Sequence, residues 1–257
     1  MSSNPEGHFS PETLRQYLID LAFWAKRRGF VVETIWQYEG LPMPALKREG
    51  READVPCVLL SAGMHGDEPA GPLAVLEWLR AGPEEGIFWL VTPLINPSGL
   101  VAGTRENARG LDLNRSYEEV ELPEIAAQLA WLDRQRAPDY FVALHEDWEA
   151  EGFYFYEVGG TGVFREPVLD AVSAGALGIE PAAVIDGNPV TEAGWIFRES
   201  APKLPDGQPE ALYFLEKGCR VSLTFETPSA QAIADRVTAH LAGLRAMAGL
   251  IMGGGEK

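Results

Sequence analysis

The chain has 257 residues, of which 46% are hydrophobic and 23% are charged, and this composition suits a globular domain with a sizeable buried core. Its net charge of −17 repels phosphate backbones and anionic membrane surfaces, which argues against nucleic-acid and membrane binding. Apolar residues are plentiful enough to exclude disorder, and no run approaches the ~20 consecutive apolar residues of a membrane-spanning helix.

The N-terminal sequence and the cysteines both indicate a cytoplasmic setting. Residues 1–12 contain no basic segment followed by an apolar one, so no secretory signal is predicted. The two cysteines, Cys57 and Cys219, each lie in an apolar run that predicts a buried strand. Two cysteines do not make a disulfide framework, and we expect both to be reduced core thiols.

Segments with helical and with extended character alternate along the chain. Ser10 and Pro11 open the first predicted helix, and Gly29 ends it. The predicted strands cover residues 30–38, 56–63, 87–94, 139–144, 153–158 and 220–225, and the later helices cover residues 69–80, 122–132, 164–177 and 230–251. This alternation predicts a single α/β domain over residues 1–257, with a mostly parallel central sheet and helices on both faces. Functional side chains in such folds collect at the carboxyl ends of strands.

Potential metal ligands follow two of the predicted strands. His65 and Glu68 stand three residues apart after the strand at 56–63, and one backbone turn places both side chains on the same side. His145 follows the strand at 139–144. A His-x-x-Glu pair alone is common by chance, but a third ligand would complete a set typical of catalytic zinc, which has three protein ligands and an open position.

Polar groups follow two further strands. The segment at 96–117 carries Arg105, Asn107, Asp112, Asn114 and Arg115. Its arginines suit a carboxylate and a developing oxyanion, although a solvated loop is the alternative interpretation. Glu226 follows the strand at 220–225, where a carboxylate risks desolvation. A general base is one explanation for this placement, and capping of the following helix is the other.

In this order, the motifs resemble the zinc metallocarboxypeptidases, the carboxypeptidase A-like group, in its compact bacterial form. The matching residues are His65-x-x-Glu68, Asn96-Pro-x-Gly99, Arg105, Gly110-x-Asp112-x-Asn114-Arg115, His145 and Glu226. The resemblance spans roughly residues 56–230. It implies a three-layer sandwich, in which a mixed, mostly parallel sheet of about eight strands lies between helices. It also implies a hydrolase that removes the C-terminal residue from a peptide.

The resemblance further implies a role for each matching side chain. Three of them would bind one zinc ion per chain: His65, Glu68 and His145. Two would hold the terminal carboxylate of the substrate: Asn114 and Arg115. Glu226 would be the general base, Arg105 would polarise the scissile carbonyl, and Asp112 would orient the first histidine. The family often closes a tyrosine over the substrate, and Tyr213 is the candidate, although a packed aromatic fits its segment equally well.

An amidohydrolase of the aspartoacylase and succinylglutamate desuccinylase type, acting on N-acyl amino acids, is the second candidate. Such proteins share the core motifs but carry a further C-terminal β domain. The 31 residues after Glu226 predict one helix, so we expect no such domain and favour peptide cleavage, with murein peptides as a substrate variant. A catalytically dead binding module is disfavoured because every ligand and the base are kept. A nucleotide-binding protein is disfavoured because the glycines at 159–162 lack the spacing of a phosphate-binding loop.

Overall fold

A computed structural model of the chain describes residues 9–50, 54–118 and 122–254. Residues 1–8, on which part of the prediction about a secretory signal rests, lie outside the described residues. Within these ranges the helices are α1 (Pro11–Arg27), α2 (Ala70–Ala81), α3 (Pro97–Ala102), α4 (Pro123–Leu132), α5 (Arg165–Ser173), α6 (Glu210–Glu216) and α7 (Ile233–Met252). The strands are β1 (Val31–Tyr38), β2 (Leu41–Arg48), β3 (Cys57–Ala62), β4 (Phe88–Thr92), β5 (Tyr140–Asp147), β6 (Tyr154–Gly159), β7 (Val184–Ile185), β8 (Asn188–Pro189), β9 (Trp195–Arg198) and β10 (Val221–Pro228).

Eight of the strands form one mixed sheet in the order β1-β2-β4-β3-β5-β10-β6-β9. The central strands β4, β3, β5 and β10 run parallel to one another, and β9 runs parallel to β6. The remaining neighbours, β1 with β2, β2 with β4 and β6 with β10, are antiparallel. The predicted mixed, mostly parallel sheet of about eight strands is therefore confirmed.

The two faces of the sheet bury two separate apolar clusters. Leu60 and Val142 point to the face covered by α1, α2, α5 and α7. Their chain neighbours Leu59 and Phe141 point to the other face, where α4 and α6 pack. This alternation follows from the two-residue period of a strand, and it explains why these strands are apolar throughout. Both cysteines are buried, free and part of the second cluster.

Two strands that position the site continue beyond their apolar runs. The parallel pairing of β5 with β10 extends from Val221 opposite Tyr140 to Pro228 opposite Asp147. His145 and Glu226 therefore lie within strands, rather than after them as the sequence predicts. Backbone hydrogen bonding continues where the side chains become polar, so hydropathy ends the predicted strands too early. Among the described residues, none of the helices has the length and apolar character required to span a membrane.

Candidate metal and active site

Two imidazoles and one carboxylate converge at the carboxyl end of the central strands. His65 and Glu68 lie in the loop from β3 to α2, and His145 lies on β5. Glu68 Oε1 is 2.5 Å from His65 Nδ1, and Glu68 Oε2 is 2.7 Å from His145 Nδ1. One potential ligand atom from each residue lies within 4.8 Å of the other two, and all three residues are buried. This donor set fits a single divalent ion with three protein ligands.

The ligand loop depends on a close approach to the Asn96-Pro-x-Gly99 turn. A Cβ atom on Gly66 would lie 1.8 Å from the carbonyl carbon of Gly99, so only glycine fits at position 66. The side chain of Asn96 caps α3 by accepting a hydrogen bond from the Gly99 N–H at 2.8 Å. The Gly66 N–H in turn donates to the carbonyl of Thr104 at 2.9 Å. These contacts hold the loop that carries His65 and Glu68.

Asp112 links the first histidine to Arg105. Asp112 Oδ1 lies 3.2 Å from His65 Nε2, and Asp112 Oδ2 accepts a hydrogen bond from Arg105 Nε at 3.0 Å. The carboxylate thus bridges the imidazole and the guanidinium, an arrangement that is common beside histidines that bind metals. Burial opposes ionisation of Asp112 and of Glu68. The hydrogen bond from His65 and the charge of Arg105 nevertheless hold the pKa of Asp112 below its ordinary value. The charges of His65 and His145 likewise hold the pKa of Glu68 below its ordinary value.

Glu226 lines the same cavity as His65, Glu68 and His145, on the strand next to that of His145. It lies directly opposite His145 in the parallel pair and opposite Tyr154 in the antiparallel pair. Burial, followed by the charges of Glu68 and Asp147, raises the pKa of Glu226 well above its ordinary value, and Arg105 only partly opposes this. A carboxyl group with a raised pKa suits proton exchange near neutral pH.

Asn114 and Arg115 lie in a 3-10 turn, Leu113–Arg115, that Asp112 caps by accepting a hydrogen bond from the Asn114 N–H at 2.8 Å. The Arg115 guanidinium donates to the carbonyl of Asn114 at 3.0 Å. It forms no ion pair with any acidic side chain in the part of the chain that the structure describes. Arg115 therefore keeps donors available for an anionic ligand.

One cavity of about 810 Å³ is lined by seven of the predicted site residues: His65, Glu68, Arg105, Asn114, Arg115, His145 and Glu226. Asp112 does not line it and contacts His65 and Arg105 instead. The same cavity is lined by side chains that the sequence analysis misses: Trp148, Tyr154, Tyr156, Asp186 and Arg198. Tyr154 donates a hydrogen bond to Asp147 at 2.9 Å, and Tyr156 donates to Asp186 at 3.0 Å. The alternation of Tyr154 and Tyr156 in a predicted strand is a signal that could have revealed them, because alternate residues share a face.

Tyr213 is not among the residues that line the cavity. Its ring lies 5.3 Å from the ring centres of both Tyr117 and Phe214 and packs against the second apolar cluster. Its neighbours Ala211 and Leu212 face the cavity instead. The structure therefore does not bring Tyr213 to the cavity, because its orientation on α6 makes it a packed aromatic.

Comparison with protein families gives a partial match. Residues 54–133 match the model of the succinylglutamate desuccinylase/aspartoacylase catalytic domain. This range is less than a third of the chain, and it includes His65, Glu68, Arg105 and the 3-10 turn. The matched family corresponds to the second candidate of the sequence analysis. Among curated proteins, none matches the chain.

Solved structures match nearly the whole chain. A protein from Shewanella denitrificans, provisionally named a metallopeptidase, is 26% identical over 96% of this chain and 97% of its own, with a TM-score of 0.79. A metallo-carboxypeptidase from Burkholderia cenocepacia is 20% identical, with coverage of 94% and 69% and a TM-score of 0.69. Carboxypeptidase A from Helicoverpa armigera is 15% identical, with coverage of 100% and 78% and a TM-score of 0.69. At these lower identities the last two show a shared fold alone. The chain is therefore similar in fold to these metallopeptidase and carboxypeptidase structures over nearly its whole length, and similar in sequence to the succinylglutamate desuccinylase/aspartoacylase catalytic domain over residues 54–133.

Proposed function

We propose that this protein is a zinc-dependent carboxypeptidase that removes the C-terminal residue from a peptide. The observation that carries the proposal is the convergence of three groups on one cavity. They are a His-Glu-His donor set, a carboxyl group with a raised pKa on the adjacent strand, and an arginine that forms no ion pair among the described residues. Hydrolysis next to a free carboxylate needs each of these.

The donor set supports zinc as the metal. Two imidazole nitrogens and one carboxylate are ligands that zinc accepts, and three protein ligands leave a position open for chemistry. A zinc ion held by His65, Glu68 and His145 would lower the pKa of a bound water toward about 7 and polarise the substrate carbonyl.

The side chains around the donor set supply the remaining functions. Glu226 accepts a proton from the attacking water and returns it to the leaving amine, which typically contributes about 10² to 10⁴ in rate. Arg105, fixed by Asp112, donates to the carbonyl oxygen as it becomes negative, and the loss of one such donor typically costs about 10² to 10³. Asn114 and Arg115 bind the terminal carboxylate of the substrate, because a guanidinium matches a carboxylate better than a neutral amide.

Hydrolysis of N-acyl amino acids is the second candidate, and the family match over residues 54–133 favours it. Two observations support peptide cleavage over it. The Shewanella structure, provisionally named a metallopeptidase, matches this chain almost end to end, whereas the desuccinylase model covers the first part of the site and not His145 or Glu226. The cavity of about 810 Å³ also lies toward the upper end of the range of about 300–1,000 Å³ for small-molecule sites, which leaves space for a peptide.

The test compares acetylated tripeptides that end in a free carboxylate with the same tripeptides ending in an amide, using zinc-loaded protein. We expect the peptides that end in a carboxylate to be cleaved much faster than their amides. Arg115→Ala should reduce the ratio of the two cleavage rates by at least about tenfold, because a charged contact of this kind is worth about 2–5 kcal/mol. Arg198→Ala is the matched control, since it removes the same charge from another part of the cavity. It should leave the ratio of the cleavage rates for acids and amides unchanged.

N-acyl amino acids and murein tripeptides are assayed in parallel. Equal rates on acids and amides would exclude the carboxypeptidase assignment, even if zinc binding were established. Cleavage of acyl amino acids without cleavage of any peptide would favour the second candidate and leave the roles of Asn114 and Arg115 unchanged.

A further inference from the structure

Glu210 is a buried carboxyl group whose chain neighbours Pro209, Ala211 and Leu212 line the cavity. It is the first residue of α6 and is 1% exposed. Its Oε1 accepts a hydrogen bond from Gln128 Nε2 on α4 at 2.5 Å, and Ser61 Oγ on β3 lies 2.9 Å from Oε1 and 2.7 Å from Oε2. It forms no ion pair with any cationic side chain of the described residues. Polar contacts from a strand and a helix thus fix the start of α6 against the sheet.

The backbone of Glu210 is bonded to the carboxamide of Asn114. The Glu210 N–H donates to Asn114 Oδ1 at 3.0 Å. Because an N–H must face an acceptor, this bond assigns the oxygen of the amide to Glu210 and leaves its NH₂ group as the free donor. Asn114 also lines the cavity, so its NH₂ group is suited to an oxygen of the substrate carboxylate.

The segments that flank Asn114 and Glu210 are also in close contact with each other. The Tyr117 N–H donates to the carbonyl of Gln208 at 3.3 Å. A Cβ atom on Gly207 would lie 2.1 Å from the carbonyl oxygen of Arg115, so the two backbones approach as closely as glycine permits. The Tyr117 hydroxyl donates to Gln128 Oε1 at 2.5 Å, which connects this contact to the amide that binds Glu210. A shift of the start of α6 would therefore shift the 3-10 turn.

We propose that Glu210 is a positioning residue for recognition of the substrate carboxylate. Its side chain fixes the start of α6, the fixed N–H orients the amide of Asn114, and that amide donates to the substrate. The inference rests on the proposed function only in that Asn114 binds a carboxylate. The neighbouring residues Pro209, Ala211 and Leu212 line the cavity, so the same contacts also fix that wall.

The test measures equilibrium binding by calorimetry in a zinc-loaded Glu226→Gln background, where turnover is suppressed. The probes are acetylated tripeptides and their C-terminal amides, and the readout is the ratio of the two dissociation constants. Glu210→Ala should reduce this preference for the acid by about tenfold or more, since an aligned hydrogen bond to a charged group is worth at least that. Glu210→Gln should keep the preference within about threefold, because its amide oxygen accepts the same hydrogen bonds.

A role in stability alone would lower the fraction of folded protein and leave the acid preference unchanged. Glu157→Ala is the matched control: it removes another fully buried carboxyl, bonded to Trp195 at 3.0 Å, from a strand whose neighbours Tyr156 and Val158 face the cavity instead. It should keep the preference. An unchanged preference in Glu210→Ala would overturn the inference.

If Glu210→Ala does not fold, the same binding measurement is made on Ser61→Ala, which removes one hydrogen-bond donor to the Glu210 carboxyl. A severalfold loss of acid preference supports the inference, and no loss overturns it. Absence of any acid preference in the Glu226→Gln parent would also overturn it, because Asn114 would then bind no carboxylate. Acid preference in binding without cleavage of any peptide by the wild type would contradict the proposed function alone.

Discussion

Replacement of Glu210 by glutamine should stabilise the protein, and the gain should grow as the pH rises. Burial raises the pKa of Glu210 from 4.5 to about 7. At pH values below the pKa of Glu210 in the unfolded chain, the carboxyl is protonated in both the folded and the unfolded protein, so the variant and the wild type differ little in stability. Between the unfolded and the folded pKa, the carboxyl ionises only in the unfolded chain. The wild type therefore loses stability as the pH rises through the folded pKa. The difference between the unfolded and the folded pKa corresponds to about 3 kcal/mol at pH values above both pKa values.

The assay is urea unfolding of zinc-loaded wild type and Glu210→Gln from about pH 5 to about pH 8.5, where this linkage develops. Glu146 has a pKa of about 7 as well, but it titrates in both proteins and cancels in the difference. The unfolding free energy of the variant should exceed that of the wild type by about 3 kcal/mol at the alkaline end. A difference that does not change with pH, or that shrinks as the pH rises, would show that folding does not raise the pKa of Glu210.

Three further changes test the site. His145→Ala should lose the metal, so full zinc retention in metal analysis at low zinc concentration would contradict the ligand assignment. Glu226→Gln should keep zinc and the fold but lose about 10² or more in kcat, and a variant with over about a tenth of wild-type kcat would place the base elsewhere. Tyr213→Phe should leave kcat/KM within about twofold, because its ring lies outside the cavity; a tenfold loss in kcat/KM would restore its role over the substrate.

The fold class and the order of the chemical groups follow from local patterns in the sequence. Apolar runs of strand length separated by helical periodicity are sufficient to predict a mostly parallel sheet between helices, because burial on both faces requires such runs. The mixed character of the sheet was implied only by the family resemblance. His65, Glu68 and His145 are recognisable because each follows or ends an apolar run, and parallel strands bring their carboxyl ends to one edge. The meeting of these three side chains could therefore be predicted from the sequence, and their role as zinc ligands stays a prediction.

Other features were decided by tertiary contacts. β2 contains Pro42 and Pro44, so its sequence does not predict a strand, yet pairing with β1 and β4 makes it one. The direction of Tyr213 depends on the rotation of α6, since each residue turns a helix by about 100°. Glu210 meets Ser61 and Gln128 across 149 and 82 residues of chain. No local pattern encodes such a contact, because it exists only where the packed elements bring these side chains together.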